Sequence, residues 1–352
     1  MKRNVSIFLV VVCISFISCG GEYSYTRNKN GITITQYNGT DKEVVIPSTI
    51  NNKNVIAITG TGYKEKSTYL GAFYNKQLTS VTIPNSVTYI GDSAFNSNLL
   101  TSVIIPNSVV SIGDWAFVGN QLTSISIPNS VTHIGDYAFS NNLLTSVTIP
   151  DSVITIGERV FVGNPLINLI IGNSVTTIGN EAFYGNQLKS ITIGNSVTTI
   201  GEKAFLRNQL TSVTIPNSVI DIGQEAFYGN QLTSVTIGNA VTIIGNYAFY
   251  ENRLNRIIIP NSVKRIGESA FAHNQLTNIT IGNSVTHIGE EAFEANRLTN
   301  ILLPNNVEYI FRRKLEFGSS EIEEYAIKNG RIPSISDSNV RISWRNMNWV
   351  AQ

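Results

Sequence analysis

Residues 78–99 read LTSVTIPNSVTYIGDSAFNSNL, and the same arrangement returns at a step of 22 along most of the chain. Phe stands at 73, 95, 117, 139, 161, 183, 205, 227, 249, 271 and 293, so eleven of the fifteen Phe fall in one column. Leu78 to Leu298, Val87 to Val307 and Ile90 to Ile310 are columns of eleven without substitution, and Gly91 to Gly289 is a column of ten. A fixed step of this kind marks a stacked array, because one unit alone cannot enclose its apolar face. Phe95, Phe117, Phe139, Phe161, Phe183, Phe205, Phe227, Phe249, Phe271 and Phe293 are the expected structural core.

The spacing inside the unit assigns its parts. Val81 and Ile83 share one face of an extended segment while Ser80 and Thr82 take the other. Pro84, replaced by Gly at 172, 194, 238 and 282, stops that strand together with the Asn or Asp that follows. Val87 and Ile90 point back inward, and Gly91 allows a bend. Asp92, Asp114, Asp136, Glu158 or Asn180 then opens a short turn or helical piece, where an acidic or amide group suits exposed N–H groups. Ala94 and Phe95 supply a small and a large inward residue. The ten Asn from Asn98 to Asn296 are expected to bond loop backbone in neighbouring coils, with a ligand-binding Asn array as the alternative.

The motif L-x-x-V-x-I-P-x-S-V-x-x-I-G-x-x-A-F at Leu78 to Phe95 resembles the leucine-rich repeat family, and within it the bacterial surface-antigen (BspA-like) type. The resemblance covers residues 32 to about 317, with one departure: the family has A-F-x-x-C-x-x-L in 23 residues, and this chain has A-F-x-x-N-x-L in 22. It implies an α/β-type, β-rich solenoid. Such a leucine-rich repeat coil is right-handed, with a parallel β-sheet face and short turns or helical pieces opposite. It also implies adhesion at a bacterial surface, with an extracellular or host protein or a glycan as partner.

The ends follow other rules. Lys2 and Arg3 precede the apolar run Val5 to Ile17, whose 13 residues span roughly 20 Å as a helix, short of a bilayer core of ~30 Å. Residues 1–18 therefore read as a signal peptide. Phe16-Ile17-Ser18-Cys19 resembles a lipobox, which implies lipidation at Cys19 and a membrane partner through that anchor; ordinary cleavage just beyond Cys19 is the alternative. Removal of Lys2 and Arg3 leaves 23 cations against 24 anions, a net charge of −1. Residues 19–31 read as a linker and 32–77 as an N-terminal capping repeat, with Gly39 in an Asn-Gly turn suggesting a hairpin. Val44 and Ile46 stand as the first inward pair, and a 10-residue insertion within 59–71 carries Tyr63, Lys64, Lys66 and Tyr69. Repeats fill 78–310, and 311–352 form a C-terminal cap and tail. In that cap Ser320 and Glu323 have capping-box spacing, so a helix is expected from about 320 to 329.

With 352 residues, 42% apolar and 14% charged, the chain is neither disordered nor a coat for nucleic acid, and a net charge of +1 gives phosphate backbones no attraction. Three His and two Cys are too few for a multi-ligand metal site, and no cofactor is expected. No G-x-S-x-G, H-E-x-x-H or P-loop spacing occurs, and His133 and His287 lie seven units apart, hence ~34 Å at ~4.8 Å per strand. No enzyme is expected.

The candidate ligand face is the outward strand column: Ser80, Thr82, Ser102, Ser124, Ser146, Asn168, Ile170, Ser190, Ser212, Ser234, Arg256, Ile258, Asn278 and Asn300. Twelve such strands at ~4.8 Å make an uncharged, hydroxyl-rich sheet of roughly 55 Å. It suits an extended protein or glycan partner, and a non-catalytic envelope scaffold without a specific ligand is the alternative. Localisation in the cell envelope, lipid-anchored at the cell surface, follows from the signal and the resemblance together.

Overall fold

The computed structural model describes residues 21–60, 70–298, 300–304, 307, 309–316, 319–326 and 348–351. The lipobox with Cys19, and the insertion residues Tyr63, Lys64, Lys66 and Tyr69, lie outside the described residues. Within them the chain is a solenoid of 22-residue turns and contains no helix; no helix there is long and apolar enough to cross a membrane. The short helical pieces allowed for after the bend are turns.

Each coil has three sides. The first is a two-residue strand on the Val-x-x-Ile segment: Tyr89–Ile90, Ser111–Ile112, His133–Ile134 and onward to His287–Ile288, each paired in parallel with the same two positions of the next coil. These rungs join the terminal strands in one sixteen-stranded sheet. On the second side, alternate N–H groups of the turn donate to the following coil, as Ser93 does to the Asp114 carbonyl, Phe95 to Ala116 and Ser97 to Val118 at 2.8 Å. The third side carries the outward column.

That third side is where the structure departs from the expected twelve-stranded face. Its strands pair only in small groups. Glu43–Val45 pairs with Ser80–Thr82; Ser146–Ile149, Asn168–Ile171 and Ser190–Thr192 pair together; Ser212–Thr214 pairs with Ser234–Thr236, and Arg256–Ile258 with Asn278–Thr280. Residues 102–105 and 124–127 run alongside without ladder pairing. The alternation expected of a strand is nevertheless kept, with Val81 and Ile83 buried and Ser80 and Thr82 exposed. The unbroken ladder therefore runs on the Val-x-x-Ile side and the interrupted one on the outward side.

The core is one column of rings and its lining. Every Phe from Phe73 to Phe293 is fully buried, and successive rings stack at centroid distances from 5.2 to 5.7 Å, most within 15° of parallel. Tyr37 in Ile32–Tyr37 opens the stack, 5.1 Å from Phe73. The Asn column does what its position predicts. Asn164 Nδ2 donates to the Phe139 and Phe161 carbonyls at 3.0 and 3.1 Å, and its Oδ1 accepts from Leu144 N–H at 3.1 Å; this pattern repeats along the coil. The acidic or amide residue after the Gly bends serves the neighbour instead of its own turn: Asp92 Oδ1 accepts from Asp114 N–H at 3.0 Å and Asp114 Oδ1 from Asp136 N–H at 2.8 Å.

Both ends correct the sequence reading. The supposed linker 19–31 holds the strand Tyr23–Arg27, antiparallel to Ile32–Tyr37. Its turn is at Asn28 to Gly31, where Asn28 Oδ1 accepts from the N–H of Asn30 and Gly31. The second hairpin turns at Asn51-Asn52, with φ of 50° and 59° as a type I′ turn requires, and not at Gly39. Val44 does start the inward column, opposite Val81.

At the other end the expected helix over 320–329 is overturned. Ser319–Ala326 is a strand, antiparallel to Tyr309–Glu316, in a register that sets Arg312 opposite Glu323 and Lys314 opposite Glu321. Eight paired positions of this ladder override the local capping signal. Asn348–Ala351 adds a last parallel rung to Asn300–Leu303.

Candidate functional site

Alternation along each short strand aims the candidate residues outward. Ser80, Thr82, Ser102, Ser124, Ser146, Asn168, Ile170, Ser190, Ser212, Ser234, Arg256, Ile258 and Asn278 are all exposed, each beside an inward residue that locks the strand to the core. Asn300 opens Asn300–Leu303, and its side chain lies outside the described residues. Their hydroxyls are unengaged: among the described residues, none of the outward Ser or Thr in these strands has a side-chain hydrogen bond within the protein. Hydroxyls elsewhere are used, as Ser108 Oγ donates to the Val87 carbonyl at 2.6 Å and Thr198 Oγ1 to Thr176 at 3.1 Å.

Charge is partitioned around the coil. At the outward strand positions of the described residues only Glu43 and Arg256 are charged. The turn side is crowded with ionisable groups that satisfy one another. Arg159 bridges Glu181 in two bonds of 2.6 and 2.8 Å and also bonds the Tyr137 hydroxyl, which holds the Glu181 carboxyl below the usual range, chiefly through that hydrogen bonding. Tyr247 donates to Glu268, and this bond together with burial pushes the phenol up to about 12. Asp114 is raised, chiefly by burial.

Among the described side chains four apolar residues interrupt the hydroxyl column: Val45 at 73% exposed, Ile104 at 84%, Ile170 at 53% and Ile258 at 64%. Val45 was missed in the sequence, although its position flanking Val44 in the same pattern marks it. Also missed was a cleft of about 350 Å³ between Ser234–Thr236 and Arg256–Ile258. It sits at one of the unpaired steps, and only a structure shows which steps are unpaired. His133 and His287 occupy equivalent rungs, and His273 lies on the turn side, its ring 4.9 Å from Tyr250.

The sequence model of the BspA type leucine rich repeat region matches residues 66–186, 114–231 and 220–338. No curated protein matches the chain. Among solved structures, a leucine-rich repeat protein from Bacteroides ovatus is 26% identical over 84% of each chain, with a TM-score of 0.56. A leucine rich cell surface protein from Faecalibacterium prausnitzii is 25% identical, also over 84% of each chain, with a TM-score of 0.52.

Proposed function

Since the chain belongs to the BspA-type leucine-rich repeat family, we propose that it binds an extracellular protein or glycan through the outward strand column, at the bacterial cell surface. The observation that carries this reading is the column of exposed hydroxyls without internal partners, held by strands whose alternate residues are locked in the core. A rigid row of donors and acceptors, charged only at Glu43 and Arg256 among the described residues, engages an extended partner by many weak contacts and loses little conformational freedom in doing so. In this reading the apolar run Val5 to Ile17 directs export and Cys19 carries the lipid. The cell-surface description of the Faecalibacterium prausnitzii protein supports the location.

Solid-phase binding of the chain to matrix proteins and glycans tests the face. One variant carries Glu at Ser80, Ser102 and Ser124, another at Ser190, Ser212 and Ser234. Loss of binding in either supports the face, and unaltered binding in both excludes it. Mass spectrometry of the N-terminus tests the anchor: an unmodified chain starting beyond Cys19 removes it.

A further inference from the structure

Resting on the proposed binding function, we infer that the cleft between Ser234–Thr236 and Arg256–Ile258 takes an acidic, extended peptide segment of a partner protein, with its carboxylate on Arg256 and an aliphatic side chain on Ile258. The cleft encloses about 350 Å³ and is lined by Ser234, Thr236, Asn239, Arg256, Ile258 and Pro260, among others. It opens where ladder pairing between neighbouring coils stops.

Three observations select the ligand. First, Arg256 is the one cation at an outward strand position, and it makes no ion pair or side-chain hydrogen bond among the described residues. A guanidinium presents a planar fork that matches a carboxylate. Second, cations outnumber acids in this part of the array. Of the nine Lys and Arg between residues 78 and 310, four are in this coil, Arg253, Arg256, Lys264 and Arg265, and all four are exposed. Lys264 and Arg265 belong to the Val-x-x-Ile side and the acids Glu251 and Glu268 to the turn side, where they accept from Tyr228 and Tyr247, so Arg256 is the one charged residue that lines the cleft.

Third, Ile258 is 64% exposed two residues beyond Arg256 in the same strand. Same-face residues of a strand lie roughly 6.6–6.8 Å apart, and an extended peptide repeats its own side chains at the same distance. A segment with Asp or Glu followed two residues later by Val, Ile or Leu therefore fits both anchors together, while Ser234 and Thr236 offer hydroxyls to its backbone. An acidic glycan satisfies Arg256 but has no aliphatic group for Ile258, and the cleft lining includes no aromatic ring to stack on a sugar.

The test is fluorescence anisotropy with the full chain and three labelled probes: an eight-residue peptide alternating Asp and Val, the same peptide with Asn for Asp, and an oligogalacturonate. The variants are Arg256→Ser and Ile258→Thr, which install the residue types of Ser234 and Thr236 and should leave the unfolding midpoint unchanged. The Asp peptide should bind, Arg256→Ser should weaken it about tenfold, Ile258→Thr should weaken it several-fold, and the Asn peptide should bind no better than Arg256→Ser binds the Asp peptide. Three results overturn the inference: no binding of the Asp peptide, binding that neither variant alters, or preferential binding of the oligogalacturonate that Arg256→Ser abolishes and Ile258→Thr leaves intact. If the probes fail while the Ser→Glu variants still lose binding to matrix proteins or glycans, this inference falls and the proposed function stands. If the chain binds no matrix protein or glycan, the proposed function falls as well.

Discussion

At the residue scale, this fold depends on polar side chains that serve a neighbouring coil. Asn164 is buried and satisfies three backbone groups, two carbonyls of the Phe column and the Leu144 N–H. Asn164→Ala removes three hydrogen bonds and leaves the Leu144 N–H without a partner, while the Phe139 and Phe161 carbonyls keep their bonds from Asn142 and Asn186, so equilibrium urea unfolding should show a loss of about 1–3 kcal/mol. The glycines divide into two kinds. Gly185 has φ of 67° and nothing within 4 Å of a built Cβ, so Gly185→Ala meets only backbone strain, about 1 kcal/mol. At Gly201 a Cβ would lie 2.7 Å from the Asn180 nitrogen and the Gly179 carbonyl carbon, so Gly201→Ala must push two coils apart. Its loss in the same assay should exceed that of Gly185→Ala severalfold. The Gly column from Gly91 thus reads in the sequence as a bend, whereas in the structure close approach between coils explains it.

At the element scale, much was legible because the deciding interactions repeat. The buried columns, the Asn ladder and the outward pairs all follow from a step of 22 and strand alternation. What the sequence did not disclose is which interactions between coils win. The Val-x-x-Ile segments and the outward strands both suit parallel pairing, and the sequence alone does not show that the first ladder runs unbroken and the second does not. Ser319–Ala326 likewise carries a helix signal within itself, but its pairing to Tyr309–Glu316 is long-range. The turn elements also carry a pH response. Glu291 sits beside Glu294, Glu290 and Glu268, and its carboxyl is pushed from 4.5 up to about 7, first by loss of water around it and then by the hydrogen bond with Glu294 and the neighbouring charges. The folded state therefore holds this proton more tightly than the unfolded one, so the contribution is full below about pH 4.5 and is lost as the pH rises through about 7. Because the residue is open to solvent, the change should stay below about 1 kcal/mol. Glu291→Gln should flatten this part of the stability profile, measured by thermal unfolding between pH 4 and 8.

At the scale of the whole molecule, 25 cations and 24 anions in 352 residues are few because most surface positions face the next coil or are Ser, Thr and Asn. Among the described residues the repeat strands pair only with those of adjacent coils, so stability should behave as a sum of units and interfaces, with no single centre. Register is then the property that must be preserved. Deleting residues 164–185 removes one full step of 22 and joins Gly163 to Asn186, a Gly-Asn pair like the Gly185-Asn186 it replaces. Phe161 then meets Phe205, and the Asn and Gly columns close without a gap. This shortened chain should fold and unfold cooperatively, with a denaturant m-value lower by about a tenth, in proportion to the surface lost. Deleting residues 164–174 removes half a step and brings inward residues of one half against outward residues of the other. That chain should fail to fold as one array, seen as loss of the cooperative transition and as aggregation. If instead the half-step deletion unfolds with the same cooperativity as the full-step one, stacking in register is not what holds the solenoid together.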